Sequence, residues 1–142
     1  MKNYCLYFIF NSLILLSGCT ITNIKYLSKA KESPDETYGL SKANPVSINI
    51  NRLRDSQKIV QEYISRLYSN KMEGFEILKK TTLLKNDKLP IRSKNDFDNI
   101  IDEYILITKG KKDTLKLYFD FNRKGKELKY PHGFLFGQLS GK

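Results

Sequence analysis

The sequence contains few of the residues that carry covalent or metal chemistry. Of its 142 residues two are cysteines, Cys5 and Cys19, and one is a histidine, His132. Because no cysteine follows position 19, the rest of the chain has no disulfide, no thiolate zinc site and no cysteine nucleophile. Gly110, Gly125 and Gly133 each stand singly in a predicted turn, and no glycine-rich phosphate loop appears. These absences argue against several common classes of enzyme.

The remaining candidates for catalysis are the histidine and five scattered acids, namely Asp96, Asp98, Asp102, Glu103 and Asp120. His132 lies in a predicted turn with Glu127 as its one nearby acid, and a general base or metal ligand needs more partners. Asp96 and Asp98 lack the dense run of Asp, Asn and Gly that a calcium loop requires. We therefore assign no catalytic residue, metal or cofactor, and a hydrolase or metal-dependent enzyme using Asp102, Asp120 or His132 is the alternative interpretation.

An interrupted apolar run at residues 6–16 is too short for a membrane span, which needs about 20 apolar residues, and is typical of a secretory signal peptide. It ends in Leu16-Ser17-Gly18-Cys19, which resembles the lipobox of bacterial lipoproteins. The likeness implies cleavage between Gly18 and Cys19 and a diacylated Cys19 thiol. Thr20, in place of Asp, then implies the outer membrane if the cell is Gram-negative. The open alternative is an ordinary signal peptide with an incidental cysteine.

The composition changes after the lipobox. Residues 19–44 are mostly polar and predict a lipidated cysteine followed by a flexible tether. Residues 45–142 predict one small domain, within the usual single-domain size. Removal of residues 1–18 takes away one lysine and no acid, so the formal charge falls from +10 to +9. A basic surface attracts anionic lipid, nucleic acid or acidic partners, although a lysine-rich coding bias produces the same scattered charges.

The domain reads as α+β. The patterns predict a short strand at 45–50, an amphipathic helix at 53–69, a strand with a possible bulge at 75–84 and a hairpin around the turn at 109–113. Together they predict a small antiparallel sheet of about four strands with the helix across one face. On the hairpin, Asp102 and Asp120 are predicted cross-strand neighbours. Tyr104 and Tyr118 are predicted to share an exposed face with Lys116, which makes these three the candidate contact surface.

Two stretches resemble a family of small, uncharacterised bacterial lipoproteins. The first is Tyr38-Gly39-Leu40-Ser41-Lys42 followed by Asn44-Pro45-Val46. The second runs from Ile101 through Thr108-Lys109-Gly110, Leu117-Tyr118-Phe119-Asp120 and Pro131-His132-Gly133-Phe134. It is similar to the family's LDxYxxTxxG…LYxNxY…PxGF pattern. This chain has Thr82-Leu83-Leu84 where typical members have adjacent cysteines, so no role of those thiols carries over.

The sequence therefore predicts a non-enzymatic lipoprotein of the cell envelope. Its partners would be the membrane, through the lipid on Cys19, and an envelope protein bound by a basic, tyrosine-bearing face. Nucleic acid is not expected, because the chain is predicted to be exported, and no small-molecule substrate is identifiable. Direct binding of the basic domain to anionic lipid is a further alternative.

Overall fold

The computed structural model describes residues 26–50, 53–85, 100–122 and 127–137. The predicted signal peptide, the predicted cleavage site at Gly18 and the predicted lipidation site at Cys19 lie outside these residues. The same is true of Asp96 and Asp98. The elements in chain order are β1 (Lys31–Glu32), β2 (Val46–Asn49), a 3-10 turn (Leu53–Asp55), α1 (Ser56–Ser65), β3 (Leu67–Tyr68), β4 (Phe75–Leu84), β5 (Ile100–Thr108), β6 (Thr114–Asn122), β7 (Lys129–Tyr130) and β8 (Leu135–Phe136).

A four-stranded sheet with the order β2-β6-β5-β4 forms the centre of the fold, so the α+β class is as predicted. The β4–β5 and β5–β6 pairs are antiparallel, but β2 pairs with β6 in parallel, with Val46 opposite Phe119. The sheet is therefore mixed, and the prediction of a purely antiparallel sheet is wrong for β2. Parallel neighbours need a long crossover connection, and here α1, β4 and β5 all lie between the two strands along the chain.

The helix covers one face of this sheet. Its buried residues are Ile59, Val60, Tyr63 and Ile64, together with Ser56. The Tyr63 ring meets the Phe119 ring of β6 edge-on, with centroids 5.4 Å apart. The helix ends at Ser65, earlier than the predicted residue 69, because the fully buried Leu67 belongs to β3, where it pairs with Phe136 of β8.

Strand β4 is an edge of the sheet and pairs with β5 along its whole length. Its register shifts between Ile77 and Lys79, which is the bulge that the broken alternation of apolar residues predicts. Residues 76–80 are exposed, and they include Lys79 and Lys80. A bulge and exposed lysines are two of the devices that discourage a sheet edge from pairing with a second chain.

Residues 26–44 are packed against the sheet rather than extended away from it. Leu27 is fully buried, and β1 pairs in parallel with β7. The hydroxyl of Tyr26 accepts a hydrogen bond of 2.9 Å from the Asn49 amide, and that of Tyr38 accepts one of 3.1 Å from the Ser47 amide. The predicted tether is therefore wrong from residue 26 onward, and its residues 19–25 lie outside the described ranges.

Candidate binding surface

The sheet face opposite α1, which we call the outer face, carries two of the three predicted contact residues. Along β6 it presents Lys116, Tyr118 and Asp120, and the residues opposite these on β5 are Ile105, Glu103 and Ile101. Cross-strand pairs point to the same side of a sheet, so these six side chains form one contiguous patch. Charged, apolar and aromatic groups therefore alternate across it.

Tyr118 lies at the centre of the patch. Glu103 is directly opposite it, and the Lys116 Nζ lies 3.4 Å from a Glu103 carboxylate oxygen. Burial and the Glu103 carboxylate raise the pKa of the Tyr118 hydroxyl. Tyr118 is consequently a neutral phenol at physiological pH, able both to donate and to accept a hydrogen bond.

At the end of this patch formed by Ile101 and Asp120, the outer face contains a groove of about 990 Å³. Its floor consists of Ser47, Ile101 and Asp120, all of which are buried. Its remaining lining comes from the segment that precedes β2, from the end of β4 and from the segment around β7, in the residues Tyr38, Ser41, Lys42, Ala43, Asn44, Pro45, Lys85, Glu127 and Lys129. The lining thus combines three lysines with two acids, hydroxyls and one aromatic ring.

An ion pair crosses the floor of the groove. The Lys85 Nζ lies 2.6 Å from the Asp120 Oδ1, and the Asp120 side chain is only 11% exposed. Burial, and to a smaller extent the Asp120 carboxylate, raise the pKa of the Tyr38 hydroxyl. This hydroxyl already accepts a hydrogen bond from the Ser47 amide. The groove therefore holds fixed charges and a neutral phenol in a partly desolvated setting, where polar contacts are stronger than in open water.

Tyr104 does not belong to this surface. It lies opposite Leu117 on the helix-covered face, it is 1% exposed, and its ring meets the Phe119 ring at 5.4 Å. Burial, and secondarily Asp102, raise the pKa of its hydroxyl, which has no hydrogen-bond partner in the described part of the chain. The prediction that Tyr104 and Tyr118 share an exposed face is wrong, because the hairpin register places them on opposite faces of the sheet.

The three side chains named for an enzymatic alternative are held apart. Asp102 lies on the face opposite that of Asp120, where its carboxylate is 2.8 Å from the Lys80 Nζ and accepts a hydrogen bond of 2.7 Å from the Thr82 hydroxyl. His132 is half-exposed and lies 3.1 Å from Glu32. The predicted cross-strand pairing of Asp102 with Asp120 is wrong by one residue, since Asp120 faces Ile101. Among the described residues no group of three His, Cys, Asp or Glu side chains is arranged to hold a metal ion.

Sequence reasoning did not identify the groove. Its lining comes from segments far apart in the chain, and the side chains of Lys85 and Asp120 meet only because β4 and β6 flank β5. The stretch containing Tyr38 and Asn44 lines the groove, but its sequence shows only a family resemblance and no pattern typical of a binding site.

Comparison with protein-family models, curated proteins and solved structures finds no match to this chain. In the portion that the structure describes, no helix combines the length and apolarity needed to cross a bilayer.

Proposed function

We propose that this chain is a lipid-anchored binding protein of the cell envelope. Signal cleavage after Gly18 and acylation of Cys19 attach it to a membrane, and the outer face of the sheet binds an envelope partner without catalysing a reaction. The observation that supports the binding role is the groove on the outer face, with the Lys85–Asp120 ion pair on its floor and Tyr118 beside it.

The chemistry of this surface favours binding. Tyrosine supplies a large contact area at little cost in side-chain entropy, and Tyr118 lies two residues from Asp120 on the same face of β6. The groove volume is at the upper end of the range of about 300–1,000 Å³ usual for binding pockets. Because charges of both signs line it, the partner we propose is a polar envelope protein segment that itself carries both charges.

The separation of Asp102, Asp120 and His132 supports a non-enzymatic role. A general acid or base must reach the same substrate atom as its partner, within hydrogen-bond distance. Asp102 and Asp120 are on opposite faces of one sheet, so they cannot act on the same atom.

Labelling cells with radioactive palmitate tests the anchor. The protein is expected to incorporate label, and a Cys19→Ala variant is expected to incorporate none. Ser17→Ala is a matched control, because alanine is also a small residue before the cleavage site. Equal labelling of the Cys19→Ala variant and the unaltered chain would contradict the anchor.

Photo-crosslinking in cells tests the partner-binding face. A benzoylphenylalanine at position 118 is expected to crosslink a discrete partner, whereas one at Lys58, exposed on α1, is expected not to. An Asp120→Lys substitution places two cations on the groove floor and should weaken the crosslink from position 118. If positions 118 and 58 gave the same crosslinks, or if Asp120→Lys left them unchanged, the outer face would not be the binding surface.

A further inference from the structure

Two turns meet at the end of the sheet where β4 begins and where β5 turns into β6. The Lys109 amide donates a hydrogen bond of 3.0 Å to the Gly74 carbonyl, and the Lys111 Nζ lies 2.6 Å from the Glu73 carboxylate. These contacts hold the turn at 69–74 against the turn at 109–113. The combined surface, which we call the basic tip, consists of Lys71, Met72, Lys109, Lys111 and Lys112.

The basic tip presents an apolar side chain to solvent. Met72 is 69% exposed, the largest value among the exposed large hydrophobic residues of the described chain. Its φ of 62° is the left-handed conformation, in which glycine carries no steric penalty and other residues do. Hydrogen bonds from the Met72 amide to the Ser69 carbonyl and from the Ser69 amide to the Glu73 carbonyl hold the turn in this shape. The chain thus places an exposed thioether at the one non-glycine residue with a positive φ among those described.

The charge around Met72 is predominantly positive. Lys71, Lys109, Lys111 and Lys112 are exposed, and the two turns contain two acids, Glu73 and Asp113. Lys111 and Lys71 lower the pKa of Glu73, so this carboxylate stays ionised and neutralises part of the lysine charge. A net positive surface around a protruding apolar side chain is complementary to a bilayer interface, where anionic headgroups lie above an apolar layer.

We propose that the basic tip docks on a membrane surface that contains anionic lipid, with Met72 inserted between the headgroups. The inference goes beyond the proposed partner-binding function, because it concerns a different end of the sheet. Asp113, which immediately precedes β6, and Asp120 within β6 are seven residues apart, which corresponds to about 23 Å of extended chain. A domain docked through the tip therefore leaves the groove on the outer face accessible.

The absence of tryptophan from the chain provides a direct test. The full-length protein with Met72→Trp has a single tryptophan and is reconstituted into vesicles that contain brominated acyl chains. In vesicles with phosphatidylglycerol, its emission is expected to shift to shorter wavelength and to be quenched. In phosphatidylcholine alone, or at high salt, neither change is expected, since salt screens the attraction. Leu78→Trp, 62% exposed on β4, is the matched control and is expected to stay unquenched.

The contribution of the lysines is tested with a second pair of variants in the Met72→Trp background. A lysine near an anionic surface strengthens binding by a factor of about five. Lys109→Gln with Lys112→Gln should then lower the ratio of docked to free domain about thirtyfold. Lys29→Gln with Lys58→Gln removes the same charge elsewhere and should change this ratio little. Equal quenching of the Met72→Trp variant with and without phosphatidylglycerol would overturn the proposal, and so would equal effects of the two double variants. Binding of the tip to an acidic protein, with no docking on the vesicles, would also overturn it.

Discussion

Replacement of Gly39 by alanine tests whether the segment before β2 is part of the folded domain. Gly39 has a φ of 76°, and a Cβ built on it would lie 2.7 Å from Val46 Cγ2 and 3.0 Å from Pro131 Cγ. Its amide donates a hydrogen bond to the Asn44 carbonyl, and its carbonyl accepts one from the Tyr118 amide. Both neighbouring side chains are buried, so they have little room to move away from an added methyl group.

Two costs are expected for Gly39→Ala. The left-handed conformation costs a residue with a Cβ about 1–2 kcal/mol, and overpacking of a buried site costs about 1–3 kcal/mol. Gly133→Ala separates the two, because Gly133 has the same φ of 76° but no atom of the described residues lies within 4 Å of the added Cβ. The loss of unfolded-state entropy is alike in both variants and cancels in the comparison. Gly39→Ala should therefore be less stable than Gly133→Ala by about 1–3 kcal/mol.

Urea unfolding followed by far-ultraviolet circular dichroism measures this difference directly. Thermal unfolding gives a second measurement, since 1 kcal/mol corresponds to about 4–8 °C in Tm for a domain of this size. Equal stabilities of the two variants would refute the packing of Gly39 against Val46. In that case the segment around residue 39 would behave as the flexible tether that its polar composition predicts.

Further perturbations test the buried tyrosines and the Lys80–Asp102 ion pair. Tyr63→Phe removes the hydroxyl that donates a 2.9 Å hydrogen bond to the Lys129 carbonyl, which should cost about 1–3 kcal/mol in urea unfolding. Tyr104→Phe removes an equally buried hydroxyl that has no partner among the described residues and should be neutral or stabilising, so equal losses in the two would contradict this reasoning. Lys80→Met leaves Asp102 buried without its cation and should cost about 2–3 kcal/mol, since Lys80 is partly exposed; combining it with Asp102→Leu should restore most of the loss, and no recovery would contradict the assignment. Burial raises the pKa of Tyr63 well above 10.0, so the stability that its neutral form provides is present below pH 10.0 and falls as the pH rises above it. The Tyr63→Phe variant should show a shallower decline in unfolding free energy above that pH, and an unchanged decline would contradict this origin.

The elements with a strong local pattern were predictable from the sequence. The apolar stripe containing Ile59, Val60 and Tyr63 has the helical period, and it lies on the buried side of α1. The alternating runs on both sides of the turn at 109–113 form the β5–β6 hairpin. Local periodicity suffices for these elements because their hydrogen-bond partners are near in sequence.

The choice of buried face on β5 could not be made from the pattern alone. Ile101, Ile105 and Ile107 lie on one face of the strand, and Tyr104 and Leu106 lie on the other, so both faces contain apolar residues. A count of apolar side chains favours the isoleucine face as the core, whereas the structure buries the other face against α1. The decision depends on the register with β6 and on the position of the helix, and a shift of one residue reverses every side chain.

The packing of residues 26–44 has no local sequence signal for a different reason. Its pairing partner, Lys129–Tyr130 in β7, lies almost a hundred residues further along the chain, and the paired strands are two residues long. The buried contacts of the segment are dispersed along it: Leu27 and Ala30 join the core, Gly39 is buried beside Val46, and two tyrosine hydroxyls accept hydrogen bonds from backbone amides of β2. A segment held by such dispersed contacts has the composition of a linker, even though it completes one side of the groove.

The two proposed surfaces differ in how the chain builds them. The groove depends on the parallel pairing of β2 with β6, because this pairing brings residues 41–45 beside Asp120 on the outer face. The basic tip depends on two short turns, each closed by hydrogen bonds within itself and joined through the Lys109–Gly74 contact. Loss of packing before β2, as expected in Gly39→Ala, should therefore weaken binding at the groove before it affects docking through the tip. If Gly39→Ala instead weakened docking through the tip before it weakened binding at the groove, the two surfaces would be coupled through the sheet and would not act as separate sites.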